Sequence, residues 1–474
     1  MPNRITRTAV LFVGCSLIVT AQLHAQDKAA PRLLTRTTSS EAAKAGLTAA
    51  LEEVGNIGGT RRVDPKLKAV VDADPSFALG RAFYGALTAN MTAADRTREL
   101  EAAVAAAGKA TASEILVITA LREWRAGRNA MARELFDVAI RQVPDDPFLP
   151  WIRTFVAANA DEALRIGEAA IQKFPDYAPM YNLHAYRLNT AGRKDEAFAT
   201  IQKYVDLVPN HPNSHDSFAE IMALNGRYAE AAVHYGKALE VDPKWDAGHE
   251  GLAEIAGAQR NYAEARTHLQ HAIALAPTPA RKLVLMREVA ATHLSENKLK
   301  EARAVMSQVV AEGEANSLNT LGDKRIVGMM LVLEGRTAEG TTVFTGAQPP
   351  TPGPNQPLQD ALFHAFLRHP SEVAKALTAM EANAAAAPDV TDTQEALRAT
   401  RVVNDVVNGR IDDAFATLQQ ISTPVYRALA GGFIVQGARK AKNTSVTAEA
   451  MAAVDAYKAI NLNAGLSRYL TNRK

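Results

Sequence analysis

Seven of the chain's eleven histidines fall between His184 and His271, and they are the residues whose types first invite chemistry. His211 and His215 stand four apart, a spacing that puts two imidazoles on one face of a helix. His215 and His249 are 34 residues apart and are expected to lie near each other on adjacent first helices. Two such nitrogens are half of a zinc site, which takes four ligands with tight geometry. No spacing fixes an acidic third ligand here. The expectation is that these histidines fill aromatic positions and helix ends, with no metal and no cofactor.

Other reactive constellations fail on their own terms. His249 and Glu250 open like a zinc-protease motif, but Ala253 stands where the second histidine must be. There is no glycine-flanked nucleophile serine and no phosphate-cradling loop ending in Gly-Lys-Ser/Thr. Cys15 is the single cysteine. It sits inside an apolar run, Ala9 to Thr20, preceded by Arg4 and Arg7 and followed by Leu23-His24-Ala25. This reads as a secretory signal peptide over residues 1–25, too short to span a bilayer. An exported, periplasmic or secreted chain is expected, with lipid attachment at Cys15 as the alternative that would make it a membrane-associated assembly factor. Cleavage near Ala25 would leave no thiol, and therefore no disulfide, thiolate ligand or cysteine nucleophile.

The formal charge is +2, and loss of Arg4 and Arg7 brings it to neutrality. A neutral chain lacks the basic footprint of a nucleic-acid binder. Apolar residues make up 47% of the chain, yet aromatics only 6%, so alanine carries much of the apolar content. Thin helical layers suit that composition better than one thick core.

The elements that position all of this repeat. Pro175, Pro209, Pro243 and Pro277 recur every 34 residues. A period of this length marks stacked repeats. Three units follow one another, residues 178–211, 212–245 and 246–279. In the second, Asn225 and Gly226 end one helix, since glycine accepts the left-handed conformation of a helix stop. Ala231, Tyr235 and Ala238 then share one face of the next helix. Ala185, Ala219 and Ala253 are equivalent, as are Ala197, Ala231 and Ala265, and as are Ile201, Tyr235 and Leu269. Small residues at those places let two helices approach. One hairpin cannot bury its stripe alone, but stacked neighbours bury it for each other.

This pattern resembles the tetratricopeptide repeat family. The second unit matches throughout with Ala219, Gly226, Ala231, Tyr235, Ala238 and Pro243. The first departs at Ile201 and Tyr204, the third at Arg260 and Leu269. The match is sharp from Ser113 to Pro277 and extends in weaker form to Ala347. The resemblance implies an all-α, right-handed solenoid of helix-turn-helix repeats with a less regular helical C-terminal part. It also implies that first helices line a concave groove. Asn182, Tyr186 and Asn189, then Asp216 and Glu220, then Glu250 and Glu254 are the polar residues expected to point into that groove. Family members that clamp acidic tails place basic residues there; this chain places acids. A basic or amide-rich extended segment is the complementary partner, and a solvated helix face without a ligand is the alternative.

Along the chain, residues 26–38 are expected to form a flexible leader and residues 39–347 the repeat array. Helices are expected from Ser39, with Ser39 or Ser40 as N-cap, and over Gly80 to Leu87 and Arg96 to Ala107. Gly55 to Arg62 is expected to turn. Residues 348–356 carry Pro349, Pro350, Pro352 and Pro354, which block regular helix, and are expected to form a linker or long loop separating the main array from the C-terminal part. Residues 357–474 would form a C-terminal helical part and cap, with helices near Val425 to Gln436 and Val446 to Ile460. Trp124 and Trp151 are either interface anchors or packed between helices. The expected function is a non-enzymatic scaffold that holds a protein or peptide in the groove. The rival is a metal-dependent or other enzyme, with a site in the histidine-rich repeats or the C-terminal region, recognisable by a deep cavity lined by histidine and acids.

Overall fold

The computed structural model describes residues 30–57, 63–88 and 91–472; the expected signal segment, Cys15 and most of the glycine-rich turn at 58–62 lie outside these. The described residues form twenty-five α-helices and no strand. The second repeat shows why. Pro212 opens the helix Pro212–Leu224, where a missing N–H costs nothing. Gly226 then takes φ 78° and turns the chain into Tyr228–Val241. Ala219, Ala231 and Ala238 are fully buried, and Tyr235 is 3% exposed. Gly251 of the next first helix lies under the Tyr235 ring: a Cβ there would come within 2.1 Å of it. In the third unit Arg260 stands where glycine would, and still takes φ 63°. The period slips after Pro277 because the helices lengthen: Pro279–Ser295 and Leu299–Ala315 have 17 residues each, against 13 and 14 in the second unit.

The chain divides into two compact units between Gly192 and Arg193, inside the stretch that the sequence presents as one array. In the first unit the earliest first helix, Glu41–Ile57, meets the latest, Ala178–Thr190. Gly55 makes that seam, since a Cβ on it would lie 2.7 Å from Pro179. The inner side is therefore not an open groove. It is a core of Leu47, Leu79, Phe83, Leu121, Trp151 and Met180, all at most 3% exposed. Trp124 and Trp151 are packed: Phe83, Phe148, Trp151, Phe155 and Trp124 form a ladder with centroid spacings from 4.9 to 6.0 Å.

Residues 30–38 correct the expected flexible leader. They run as an extended strap held by acids at the N-terminal ends of first helices. Asp145 accepts from the Arg32 N–H at 2.9 Å and Asp146 from the Leu34 N–H at 3.1 Å. Glu114 accepts from the Thr37 N–H at 2.7 Å, and Asp74 from the Thr38 hydroxyl at 2.5 Å. Arg36 reaches Thr48, and Asp146 and Glu52 raise its guanidinium against a larger lowering by burial. Ser40, rather than Ser39, caps the first helix through the Ala43 N–H.

In the second unit the last helix, Leu462–Asn472, returns to lie against both Pro279–Ser295 and Pro424–Lys440. Backbones nearly touch there: a Cβ on Gly465 would sit 2.6 Å from the Ala291 carbonyl oxygen, and one on Gly432 3.0 Å from that of Ser467. Arg468 ties the closure through Ser295 Oγ at 3.3 Å and the Ala459 carbonyl at 3.0 Å. One apolar core runs from Leu283 to Leu470, on both sides of the proline-rich stretch. That stretch is the long loop of the two forms expected, between Thr337–Gly346 and Gln356–Phe366, but it does not separate two parts, since one core spans both sides of it. The first closing helix is longer than expected, Pro424–Lys440; the second stops short of Ile460, as Thr444–Ala456; and a further helix, Leu462–Asn472, follows.

Candidate functional site

The histidines pair within hairpins. His215 Nδ1 lies 3.4 Å from His234 Nδ1, and His249 Nδ1 lies 3.4 Å from His268 Nδ1. Each contact joins a first helix to the second helix of the same repeat, while His215 and His249 themselves stand on first helices that meet, Pro212–Leu224 and Asp246–Ala258. His271 stacks on His249 at 5.0 Å, and His211 meets the Trp245 edge at 6.3 Å. Burial lowers the affinity of His215, His249 and His268 for a proton, and takes His234 down to about 4. Among the described residues, no group of three or more His, Cys, Asp or Glu is placed to hold a metal ion.

The acids behave differently. First helices meet one another, as Pro212–Leu224 meets Asp246–Ala258, and so form the inner layer. Asp216, Glu220, Glu250 and Glu254 come together on that layer, joined by Glu288 from Pro279–Ser295; Asp216 feels Glu220 and Glu250, Glu254 feels Glu250, Glu220 and Asp216, and Glu288 feels Glu250 and Glu254. Arg281 is the cation among them. Its Nε donates to Asp246 Oδ2 at 2.8 Å and its Nη1 to Glu250 Oε1 at 2.8 Å. Burial weakens that guanidinium's hold on its proton, but the bonds to Glu250 and Asp246 outweigh it and raise the group. Asp246 and Glu250 are thereby answered.

Asp216 is pushed up to about 8 by burial and then by Glu220, against a hydrogen bond from the Trp245 indole. Burial, then Glu250 and Glu254, raise Glu288 well above the carboxylate range, and a hydrogen bond with Glu250 adds to the rise. Glu254 is pushed up to about 8 by burial and by Glu250, Glu220 and Asp216. Its side chain is open to solvent, so the neighbouring charges are the cause that persists in water. Tyr235 stays a neutral phenol, raised by burial and by the same acids.

Asn182, Tyr186 and Asn189 lie in the first unit. Asn182 is 3% exposed and the other two are half-buried. These three belong to the helix that closes that unit's core. Sequence reasoning missed Glu288, Asp246 and Arg281. Glu288 carried a signal: Glu220, Glu254 and Glu288 recur at the 34-residue interval, one step past the slip at Pro277. The cavities at Tyr84–Glu99, Asn297–Glu334, Asn319–Gln359 and Ser307–Gly346 are open and hold about 270 to 400 Å3; none is lined by histidine.

No protein-family model matches the chain, and no curated protein sequence does. Solved structures similar to it include a tetratricopeptide repeat protein from Parabacteroides merdae, at 16% identity over 61% of this chain and 98% of that one, TM-score 0.40. TTC0263, a thermophilic TPR protein of Thermus thermophilus, is similar at 19% identity over 39% and 100%, TM-score 0.33. PilW, a type IV pilus biogenesis factor, is similar at 17% identity over 42% and 92%, TM-score 0.35. The assignment rests on the chain's own hairpins. Stacked helix pairs with buried alanines at equivalent places define a helical-repeat protein. The residues at the small, glycine, aromatic and proline positions are those of a tetratricopeptide-like helix-turn-helix repeat.

Proposed function

We propose that the chain is a non-enzymatic scaffold of the cell envelope whose acidic wall holds a basic extended segment of a partner protein. The observation that carries this reading is the wall's composition. Three successive first helices supply Asp216, Glu220, Glu250, Glu254 and Glu288, and the cation among them, Arg281, is spent on Asp246 and Glu250. A lysine or arginine brought to Asp216, Glu254 and Glu288 would relieve the repulsion among these carboxylates. Such a surface also speeds encounter with cations and slows it with salt. The wall is built on packed helices, so little backbone change is expected on binding.

The test is a titration with a fluorescent Lys/Arg-rich peptide against the full chain and a Glu220→Lys, Glu254→Lys double variant. The expected result is at least about tenfold weaker binding by the variant, with the wild-type affinity falling as salt rises. Equal binding by both would remove the wall from the function. Export is tested separately, by mass spectrometry of the mature N-terminus: a start after Ala25 fits a cleaved signal, and a lipid on Cys15 fits an anchored factor.

A further inference from the structure

Residues 31–38 lie on the first unit as a bound peptide lies on a receptor. Leu34 and Arg36 are half-buried, while Leu33 and Thr35 between and before them are exposed. Leu34 packs against that unit's core. An extended segment is read in this way: its amides supply affinity and alternate side chains supply selectivity.

The receptor side is a row of carboxylates from three separate turns. Asp145 accepts the Arg32 N–H and donates its own N–H to the Arg32 carbonyl at 3.2 Å, a two-way bridge like one rung of a sheet. Asp146 and Glu114 take the N–H groups of Leu34 and Thr37. Glu114 also takes the Thr37 hydroxyl at 2.6 Å, and Asp74 that of Thr38. Arg36 lies in the field of Asp146 and Glu52.

Three of these acids share one construction. Asp74 Oδ1 accepts from the Ser76 N–H at 2.9 Å, and Asp146 Oδ1 from the Phe148 N–H at 3.0 Å. Glu114 Oε2 accepts from the Thr111 N–H at 2.8 Å, inside the capping box of Ala112–Arg125. Each spends one oxygen on its own turn and presents the other to the strap: Oδ2 of Asp74, Oδ2 of Asp146 and Oε1 of Glu114. The row is thus oriented by local structure and does not need the strap for its shape. Sites prepared in this way bind without a large ordering cost.

Reach excludes the strap of a second copy as a visitor. Only Ser39 and Ser40 separate Thr38 from the helix Glu41–Ile57. Three extended residues span about 11 Å, no more than the width of one helix with its side chains. A second strap on the row would drive its own helix into Glu41–Ile57.

We propose that the row is a docking site for an extended segment of another protein, and that residues 31–38 are a resident occupant which the partner displaces. The partner segment follows the strap's own pattern, Leu-x-Arg-Thr-Thr, with free N–H groups where Leu34 and Thr37 have theirs. A short tether holds the strap at an effective concentration in the millimolar range. A segment that binds the empty row at about 10 µM would therefore bind the filled row about a hundredfold more weakly. This site lies within the unit that ends at Gly192, and it stands whether or not the acidic wall binds a basic segment.

The test uses the full chain and a fluorescent peptide of residues 31–38, blocked at both ends. In a Leu34→Pro, Thr37→Pro variant the strap loses the two N–H groups that Asp146 and Glu114 accept, and the row opens. Fluorescence anisotropy should show the peptide binding this variant at least about tenfold more tightly than the wild type, with helical circular dichroism retained. Both chains carry the same acidic wall, so binding there cancels. The same peptide N-methylated at the positions of Leu34 and Thr37 keeps its charge and should bind the variant at least about tenfold more weakly. A second measurement leaves the strap's amides intact. A nitroxide on Leu33→Cys, which is 51% exposed as leucine, in a Cys15→Ser chain, should be immobile alone. Millimolar peptide should mobilise it, and the N-methylated peptide should not. Equal peptide binding by the two chains, or equal binding of the two peptides, overturns the proposal. So does a label that is mobile from the start, or one that stays immobile in millimolar peptide.

Discussion

A carboxyl crowded by other carboxyls gives up its proton late, and Asp216 carries a stability consequence. Its carboxyl titrates at about 8 in the folded chain, from burial first and Glu220 second, against about 3.9 for a free aspartate. Between those values the folded state holds a proton that the unfolded state has released. Stability contributed by the protonated group is thus full below about pH 4 and is lost as pH rises to about 8. Asp216→Asn keeps the neutral shape and should remove this part of the slope. In urea melts the variant should gain on the wild type between pH 5 and pH 8.5, by about 1–2 kcal/mol once solvent screening of this half-buried carboxyl is counted. A wild type whose stability does not fall across this window contradicts the acidic wall as drawn. Backbone makes a second demand on single residues. Lys442 holds φ 59° between Pro424–Lys440 and Thr444–Ala456, a conformation that costs a side chain about 1–2 kcal/mol. Lys442→Gly should raise the urea midpoint, by up to about 1 kcal/mol once the looser unfolded chain is counted. At this scale the sequence was informative wherever a residue type recurs at a fixed interval, as with Asp216, Glu220 and Glu254. Arg281 was illegible because its value comes from two acids, 31 and 35 residues earlier, that only packing brings to it.

Helices close both units at glycine seams, and those seams separate two effects of the same residue. Gly236 sits inside Tyr228–Val241 with nothing within 4 Å of a Cβ, so Gly236→Ala should add up to about 1 kcal/mol from helix propensity alone. Gly465 also sits inside a helix, but its Cβ would lie 2.6 Å from the Ala291 carbonyl oxygen and 2.9 Å from the Ala291 Cα. Backbone cannot step aside as a side-chain tip does. Gly465→Val should therefore cost about 1–3 kcal/mol in the same urea melts, despite the better helix former. If both substitutions stabilise, Leu462–Asn472 does not rest on Pro279–Ser295. The helices themselves were readable in sequence because their signals are local: a proline at the start, a glycine or left-handed residue at the stop, alanines on one face. The closures were not. Arg468 meets Ser295 across 173 residues of chain. Such a return depends on small rotations added repeat by repeat, which no single repeat's residues spell out.

At the scale of the molecule, two units with separate cores should lose structure separately, and the strap gives a means of telling them apart. Its backbone N–H groups from Arg32, Leu34 and Thr37 go to Asp145, Asp146 and Glu114, all in the unit that ends at Gly192. Composition marked residues 26–38 as a leader, because a short polar segment without periodicity carries no sign of what its amides will meet. The carboxylates that meet them are far along the chain, and the division at Gly192 falls within an unbroken run of repeat residues. Asp146 shows what the strap supplies. Burial raises its carboxyl, and the N–H groups of Leu34, Phe148 and Leu149 with the Arg36 charge oppose that rise. Removing residues 26–38 takes away Leu34 and Arg36 together and leaves a more costly buried acid. The truncated chain should lose about 1–3 kcal/mol in the first unit, the worth of one or two such bonds to charged groups. Hydrogen exchange followed by mass spectrometry resolves the prediction by region. Amides in 41–190 should exchange faster after truncation, while those of 283–470, in the other core, keep their rates. Equal acceleration in both regions would mean that the strap stabilises the chain as one cooperative body. No change in either would mean that its bonds do not hold in solution.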